Sequence, residues 1–111
     1  MNWITLSNEA DLEKINKLSF TSPQVIFKHS TRCSVSAMAK NRLERSEGPE
    51  NLGFHLLDLI KYRSLSNQVA KDYNVYHESP QILTIIDGKC VYNESHSGID
   101  MSGIIIHTKA A

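Results

Sequence analysis

One cysteine in this chain occupies a position where a thiol would be chemically reactive. An apolar run, Val25-Ile26-Phe27, gives way to a short polar segment, and Cys33 follows directly before an amphipathic helical pattern. This order predicts that the Cys33 sulfur lies at a helix N-terminus, where unpaired backbone N–H groups and the helix dipole favour an anion. Because the thiolate is the reactive form of cysteine, we expect Cys33 to be a catalytic nucleophile.

The residues around Cys33 predict a site with a single sulfur. Ser36 occupies the position where a Cys-x-x-Cys site would carry its second thiol, and its hydroxyl can hydrogen-bond the sulfur. Arg32 adds a neighbouring positive charge, which also favours the thiolate. We therefore assign Arg32 and Ser36 to thiolate stabilisation. Thr31 and Ser34 complete a polar loop of the kind that normally lies at the surface.

Other residues admit a plainer interpretation. A free cysteine is in general more often a buried structural residue than a nucleophile, and Cys90 fits that description. It follows Asp87-Gly88, a strong hairpin-turn signal, on a strand expected to lie far from the Cys33 loop. A resolving role for Cys90 would require disulfide reach to Cys33. His29 could tune the thiol, although a histidine at a strand end is more often solvated or packed.

Two further segments are candidates for the site, and the first of them is the weaker. His96 and Ser97 precede a glycine and could contact groups near the sulfur. Ser79-Pro80, which we assign with Thr31 and Ser34 to the active-site loop, begins a predicted strand, where a cis peptide bond is well suited. Base rates alone favour the trans form, but the surrounding pattern favours cis.

Composition predicts one compact domain over residues 1–111. Hydrophobic residues make up 41% of the chain and charged residues 22%, and the formal net charge is +0. This balance gives no support to nucleic-acid or membrane binding, and no apolar run approaches the length of a membrane span. Two cysteines and no signal peptide suggest reduced thiols in the cytoplasm. The five histidines are scattered, so we expect no metal site.

Helical and strand patterns alternate along the chain. Ser7 or Asn8 can cap the first helix, and Asn74 can end the third in a left-handed conformation. Helices are predicted over 8–18, from just after Cys33 to about 43, over 64–73 and within 98–109; strands are predicted over 24–29, 53–59, 81–86 and 89–92. The resulting order, α-β-α-β-α-β-β-α, predicts an α/β fold with a central mixed sheet flanked by helices.

The whole pattern resembles the thioredoxin fold. Tyr73-Asn74-Val75 leading to Ser79-Pro80 and a hairpin matches the segment that precedes the cis-proline of that superfamily. Within the superfamily, the stretch Lys28-His29-Ser30-Thr31-Arg32-Cys33-Ser34-Val35-Ser36 resembles the YtxJ-like monothiol bacilliredoxins. The resemblance implies a cis-Pro80 loop that faces Cys33. One departure is Ser34, because many such sites have proline there, which helps to preset the helix start.

The resemblance also implies a function. A bacilliredoxin exchanges disulfides with bacillithiol, a low-molecular-weight thiol that serves as co-substrate, and needs no other cofactor. Cys33 would take the thiol from a mixed disulfide on an S-thiolated protein, and a second thiol would then release it. Two alternatives stay open at this point: a non-catalytic thioredoxin-fold adaptor, and a redox sensor in which Cys33 is oxidised and capped by a small thiol.

Overall fold

The computed structural model describes residues 1–109, whose strands form one mixed sheet with helices on both faces. Residues 110–111 of the predicted domain lie outside this range. The elements are β1 Ile4–Thr5, α1 Glu9–Leu18, β2 Gln24–His29, α2 Ser34–Glu44, β3 Gly53–Asp58, α3 Arg63–Asp72, β4 Gln81–Ile86, β5 Lys89–Ser95, a 3₁₀ turn His96–Gly98 and α4 Met101–Lys109. The predicted α/β architecture is confirmed.

The sheet has the strand order β1-β3-β2-β4-β5 within the described residues. β1, β2 and β3 are parallel, whereas β4 and β5 run antiparallel to their neighbours. β2 therefore lies at the centre, which explains why all six of its residues are buried. None of the helices in residues 1–109 is long and apolar enough to cross a membrane.

Alternation along β2 divides the core between the two faces of the sheet. Ile26 packs in the layer with α1 and α3, whereas Val25 and Phe27 pack in the layer with α2 and α4. Because both faces are covered, the middle of β2, Val25-Ile26-Phe27, is apolar on both sides rather than alternating apolar with polar residues. The strand is thereby held rigidly up to His29, the last residue before the Cys33 loop.

β1, a strand of two exposed residues, was not predicted from the sequence. Ile4 and Thr5 pair with His55 and Leu56 of β3, and the Leu6 amide donates to the Leu56 carbonyl at 2.9 Å. A segment this short carries no periodic signal of its own, because its conformation is set by pairing with a distant strand.

Several predicted boundaries are confirmed by local geometry. The Asn8 side chain caps α1 by accepting from the Asp11 amide at 2.8 Å. Asn74 ends α3 with φ of 53°, in the left-handed region. Asp87 and Gly88 both have positive φ, as a tight hairpin turn requires. β5 is longer than predicted and continues to Ser95, so the chain returns to the edge of the sheet where β2 ends.

Candidate functional site

Cys33 lies at the start of α2, as predicted. It is the N-cap residue of that helix, with extended backbone angles (φ −115°, ψ 121°), and it is partly exposed. Its amide donates to the Ser30 carbonyl at 3.2 Å, and its carbonyl accepts from the Ala37 amide at 3.0 Å. The sulfur is thus attached to a backbone position that is fixed on both sides.

Ser36 is fully buried and holds the loop before Cys33. Its hydroxyl oxygen accepts from the Ser30 amide at 3.0 Å and lies 2.6 Å from Nδ1 of His29. This hydroxyl was predicted to hydrogen-bond the sulfur, but its hydrogen bonds within residues 1–109 go to His29 and Ser30 at the end of β2. The reason is geometric: Ser36 lies on the inner side of the first turn of α2. Its stabilisation of a thiolate stays a prediction.

His29, which the sequence offered both as a residue that could tune the thiol and as a packed strand-end histidine, is the side-chain partner of Ser36. It is buried, its ring stacks on Phe27 with 5.6 Å between centroids, and its carbonyl accepts from the Leu59 amide at 3.0 Å. Burial and, to a lesser extent, the nearby Lys40 lower the pKa of His29, against an opposing effect of acidic neighbours. A neutral imidazole therefore contacts Ser36. The signal for this role was its position, one residue before the loop on the same strand face as Phe27.

A second loop meets the first at this edge of the sheet. β2 and β4 are antiparallel, and Lys28 pairs with Gln81, so buried Pro80 lies beside the end of β2. The peptide bond between half-buried Ser79 and Pro80 is cis, as predicted. We call this end of the sheet, formed by loops 30–33, 76–80 and 95–98, the cysteine edge.

The third loop of the cysteine edge is joined to the 76–80 loop and to helix α2. The His96 amide donates to the Pro80 carbonyl at 3.0 Å, and the His96 ring lies 3.6 Å from the Glu78 carboxylate. Both side chains of this ion pair are about half exposed, so it contributes little to stability. Arg42 of α2 donates to the carbonyls of His96 and Ile99 at 3.3 and 3.0 Å. The Arg42 side chain thus joins α2 to backbone carbonyls of this segment, a role the sequence did not reveal.

The remaining predicted loop residues lie at the surface. Thr31, Arg32 and Ser34 are exposed, as is Ser97. Arg32 forms no hydrogen bond or ion pair with the other described residues, so its effect on the sulfur stays a prediction. Within residues 1–109, no three His, Cys, Asp or Glu side chains are arranged to hold a metal ion.

Cys90 lies at the opposite end of the sheet. It pairs with Ile85, whereas the cysteine edge begins at Gln81, four residues away along β4. At about 3.3 Å per residue, that is a separation of about 13 Å, whereas a disulfide needs Cα atoms about 4.4–6.8 Å apart. Burial raises the pKa of the Cys90 thiol, whose sulfur contacts the Tyr92 carbonyl at 3.3 Å. The predicted packing role is confirmed.

This chain is similar to one protein family in sequence and to several solved structures in fold. The family model described as "Monothiol bacilliredoxin BrxC" matches residues 4–104. Among solved structures, one carries the description "A putative oxidoreductase with a thioredoxin fold". It is 29% identical and has a TM-score of 0.80, with coverage of 94% of this chain and 91% of that one.

Two thioredoxins share the fold at lower identity. Thioredoxin of Fasciola hepatica is 20% identical, with a TM-score of 0.71 and 96% of each chain covered. Thioredoxin of Malassezia sympodialis is 13% identical, with a TM-score of 0.75 and coverage of 98% of this chain and 90% of that one. The thioredoxin fold predicted from the sequence is thereby confirmed.

Proposed function

The chain belongs to the monothiol bacilliredoxin family, and on that premise we propose that it removes bacillithiol from mixed disulfides on proteins through an adduct on Cys33. The observation that carries this proposal is the placement of a partly exposed Cys33 as the N-cap of α2, with Ser36 at the position of a second sulfur. The activity is that of a thiol oxidoreductase. Its partners on this proposal are S-thiolated cytoplasmic proteins and a low-molecular-weight thiol.

The first step exchanges one disulfide for another. Cys33 loses its proton to water, and the thiolate attacks the bacillithiol sulfur of the mixed disulfide. A bond forms between Cys33 and bacillithiol while the bond between bacillithiol and the target protein breaks. The target cysteine leaves as a thiolate and takes up a proton from water. The number of disulfides is unchanged, so no external oxidant or reductant enters this step.

The start of α2 supports the attacking anion. The first-turn amides of a helix have no partners within the helix and lie close to the N-cap residue, and their dipoles favour negative charge there. The Arg32 side chain adds a positive charge next to the sulfur in sequence. The buried Ser36 hydroxyl accepts from the Ser30 amide on the inner side of the loop, and Cys33 remains partly exposed to solvent.

The second step needs a thiol from solution. Ser36 cannot form a disulfide, and Cys90 lies at the far end of the sheet, so neither residue can displace bacillithiol from Cys33. A second low-molecular-weight thiol attacks the adduct as its thiolate. It forms a small-molecule disulfide with the departing bacillithiol and restores Cys33. This thiol is the reductant of the cycle.

The test is intact-mass measurement of both proteins after mixing. A model protein carrying bacillithiol on its single cysteine is incubated with the reduced protein, and the same model protein carrying glutathione is the matched control. We expect bacillithiol to leave the model protein and to appear once, on Cys33, faster than glutathione does. Equal transfer of the two thiols would contradict the assignment of bacillithiol. Absence of any transfer would contradict the exchange function and favour an adaptor.

A further inference from the structure

Lys28 is a buried cation without an acidic partner. It lies on β2 and is 0% exposed, and burial lowers its pKa to about 8. Among the described residues, no Asp or Glu forms an ion pair with it. An apolar side chain of similar volume would fill this space at a lower desolvation cost. Stability therefore does not explain a lysine at this position.

The ammonium group instead contacts a histidine. Nζ of Lys28 lies 3.2 Å from Nδ1 of His77, and the buried Ser66 hydroxyl lies 3.4 Å from the same nitrogen. An ammonium group can only donate, so Nδ1 of His77 accepts and its Nε2 carries the hydrogen. Burial, with the charges of Lys28 and Arg63, lowers the pKa of His77 against an opposing effect of Glu78. The histidine is thereby kept as a neutral acceptor.

This contact reaches the loop that leads to Pro80. His77 lies within the 76–80 loop, and a second buried side chain, Gln81, holds the same loop by donating to the Tyr76 carbonyl at 2.9 Å. Lys28 and Gln81 are paired neighbours in the sheet. Two adjacent strand residues thus hold the 76–80 loop from inside the protein, next to the loop that carries Cys33.

We propose that Lys28 is a positioning residue for disulfide exchange, which acts through His77 to fix the 76–80 loop as a wall beside Cys33. The inference rests on the proposed function, because it needs an exchange reaction at Cys33. The attacked disulfide must lie in line with the attacking sulfur, and a displacement of about 1 Å can lower a rate by about 100-fold. A tether within the core fixes the wall without contacting the substrate.

The first test is Lys28→Met, which keeps most of the side-chain volume and removes the ammonium. The fold should survive because Ser66 remains to donate to His77. The probe is a cysteine peptide joined to 2-nitro-5-thiobenzoate by a disulfide. We expect KM for this peptide to rise about 10-fold, so that the exchange rate at peptide concentrations below KM falls by the same factor, within the range of positioning effects. Alkylation of Cys33 by iodoacetamide, which needs no wall, should stay at the wild-type rate.

A matched pair of His77 variants separates positioning from loss of packing. His77→Asn supplies an oxygen that can accept from Lys28, whereas His77→Leu supplies no acceptor. We expect the Asn variant to keep a KM near that of the wild type and the Leu variant to show the raised KM. The proposal is overturned if Lys28→Met keeps the wild-type KM, if its exchange and alkylation fall together, or if the two His77 variants behave alike.

The probe keeps this inference separate from the choice of natural thiol. The nitrothiobenzoate disulfide is reduced by any reactive thiol, so these ratios are measured even if bacillithiol is not the substrate. If bacillithiol is not transferred but Lys28→Met still has a raised KM for the peptide probe, the proposed substrate is contradicted and the positioning role of Lys28 is supported.

Discussion

Replacing Ser36 by alanine tests how the Cys33 loop is held. The substitution removes one oxygen, which accepts from the Ser30 amide and contacts Nδ1 of His29 in a fully buried setting. It introduces no steric conflict, because alanine is smaller and favours helix. The effect therefore reports the loss of two polar contacts at the cysteine edge.

The magnitude follows from the two groups left behind. A buried donor or acceptor without a partner costs about 1–3 kcal/mol, so two of them, the Ser30 amide and the His29 ring nitrogen, lower the free energy of unfolding by about 2–6 kcal/mol, with a central value of about 4 kcal/mol. A domain of this size has about 5–15 kcal/mol of stability, and the variant should remain folded. At about 4–8 °C per kcal/mol, Tm should fall by at least about 8 °C.

The assay is urea unfolding of the reduced protein, followed by circular dichroism. Ser34→Ala is the matched control, because Ser34 lies in the same helical turn but is exposed and forms no side-chain hydrogen bond with the other described residues. Its effect should stay within about 0.5 kcal/mol. If the two variants unfold at the same urea concentration, the Ser36 hydroxyl does not stabilise the loop before Cys33.

Three further predictions concern Ser36, His55 and Cys90. Ser36→Cys should place a second thiol one turn from Cys33, so that the bacillithiol adduct gives way to an intramolecular disulfide; a persistent adduct in mass spectra would contradict this. His55, whose pKa burial lowers to about 4, donates to Gln24 at 2.7 Å. Because the unfolded state binds its proton first, stability should fall by about 3 kcal/mol as pH falls from 6.5 towards 4, and less in His55→Asn; equal losses in unfolding free energy would refute the assignment. Half-buried Cys90 should react with iodoacetamide more slowly than Cys33 in the native protein, and the two should react equally fast in urea. Peptide mapping after timed alkylation measures both rates, and equal rates in the native protein would contradict this.

The parts of the fold that local sequence predicts are those set by local chemistry. The positive φ angles of Asp87 and Gly88, the cap at Asn8 and the left-handed Asn74 each follow from what one or two residues can do. The placement of Cys33 is of the same kind, because a strand, a polar loop and a helix adjoin it in sequence.

The parts that could not be predicted depend on residues far apart in the chain. β1 exists because it pairs with β3, about fifty residues later. Arg42 reaches the loop after β5, and Lys28 reaches His77, forty-nine residues away. The Ser36 hydroxyl was assigned to the sulfur because spacing shows that both lie in one helical turn, but it does not show which side of the turn faces the strand end.

On the proposed function, Cys33 alone performs the exchange. The most direct measurement is the rate at which bacillithiol leaves a thiolated model protein, compared among the wild type, Cys33→Ser and Cys90→Ser. We expect Cys33→Ser to abolish removal and Cys90→Ser to keep the wild-type rate, because Cys90 is half-buried at the opposite end of the sheet. Removal at the wild-type rate by Cys33→Ser would contradict it.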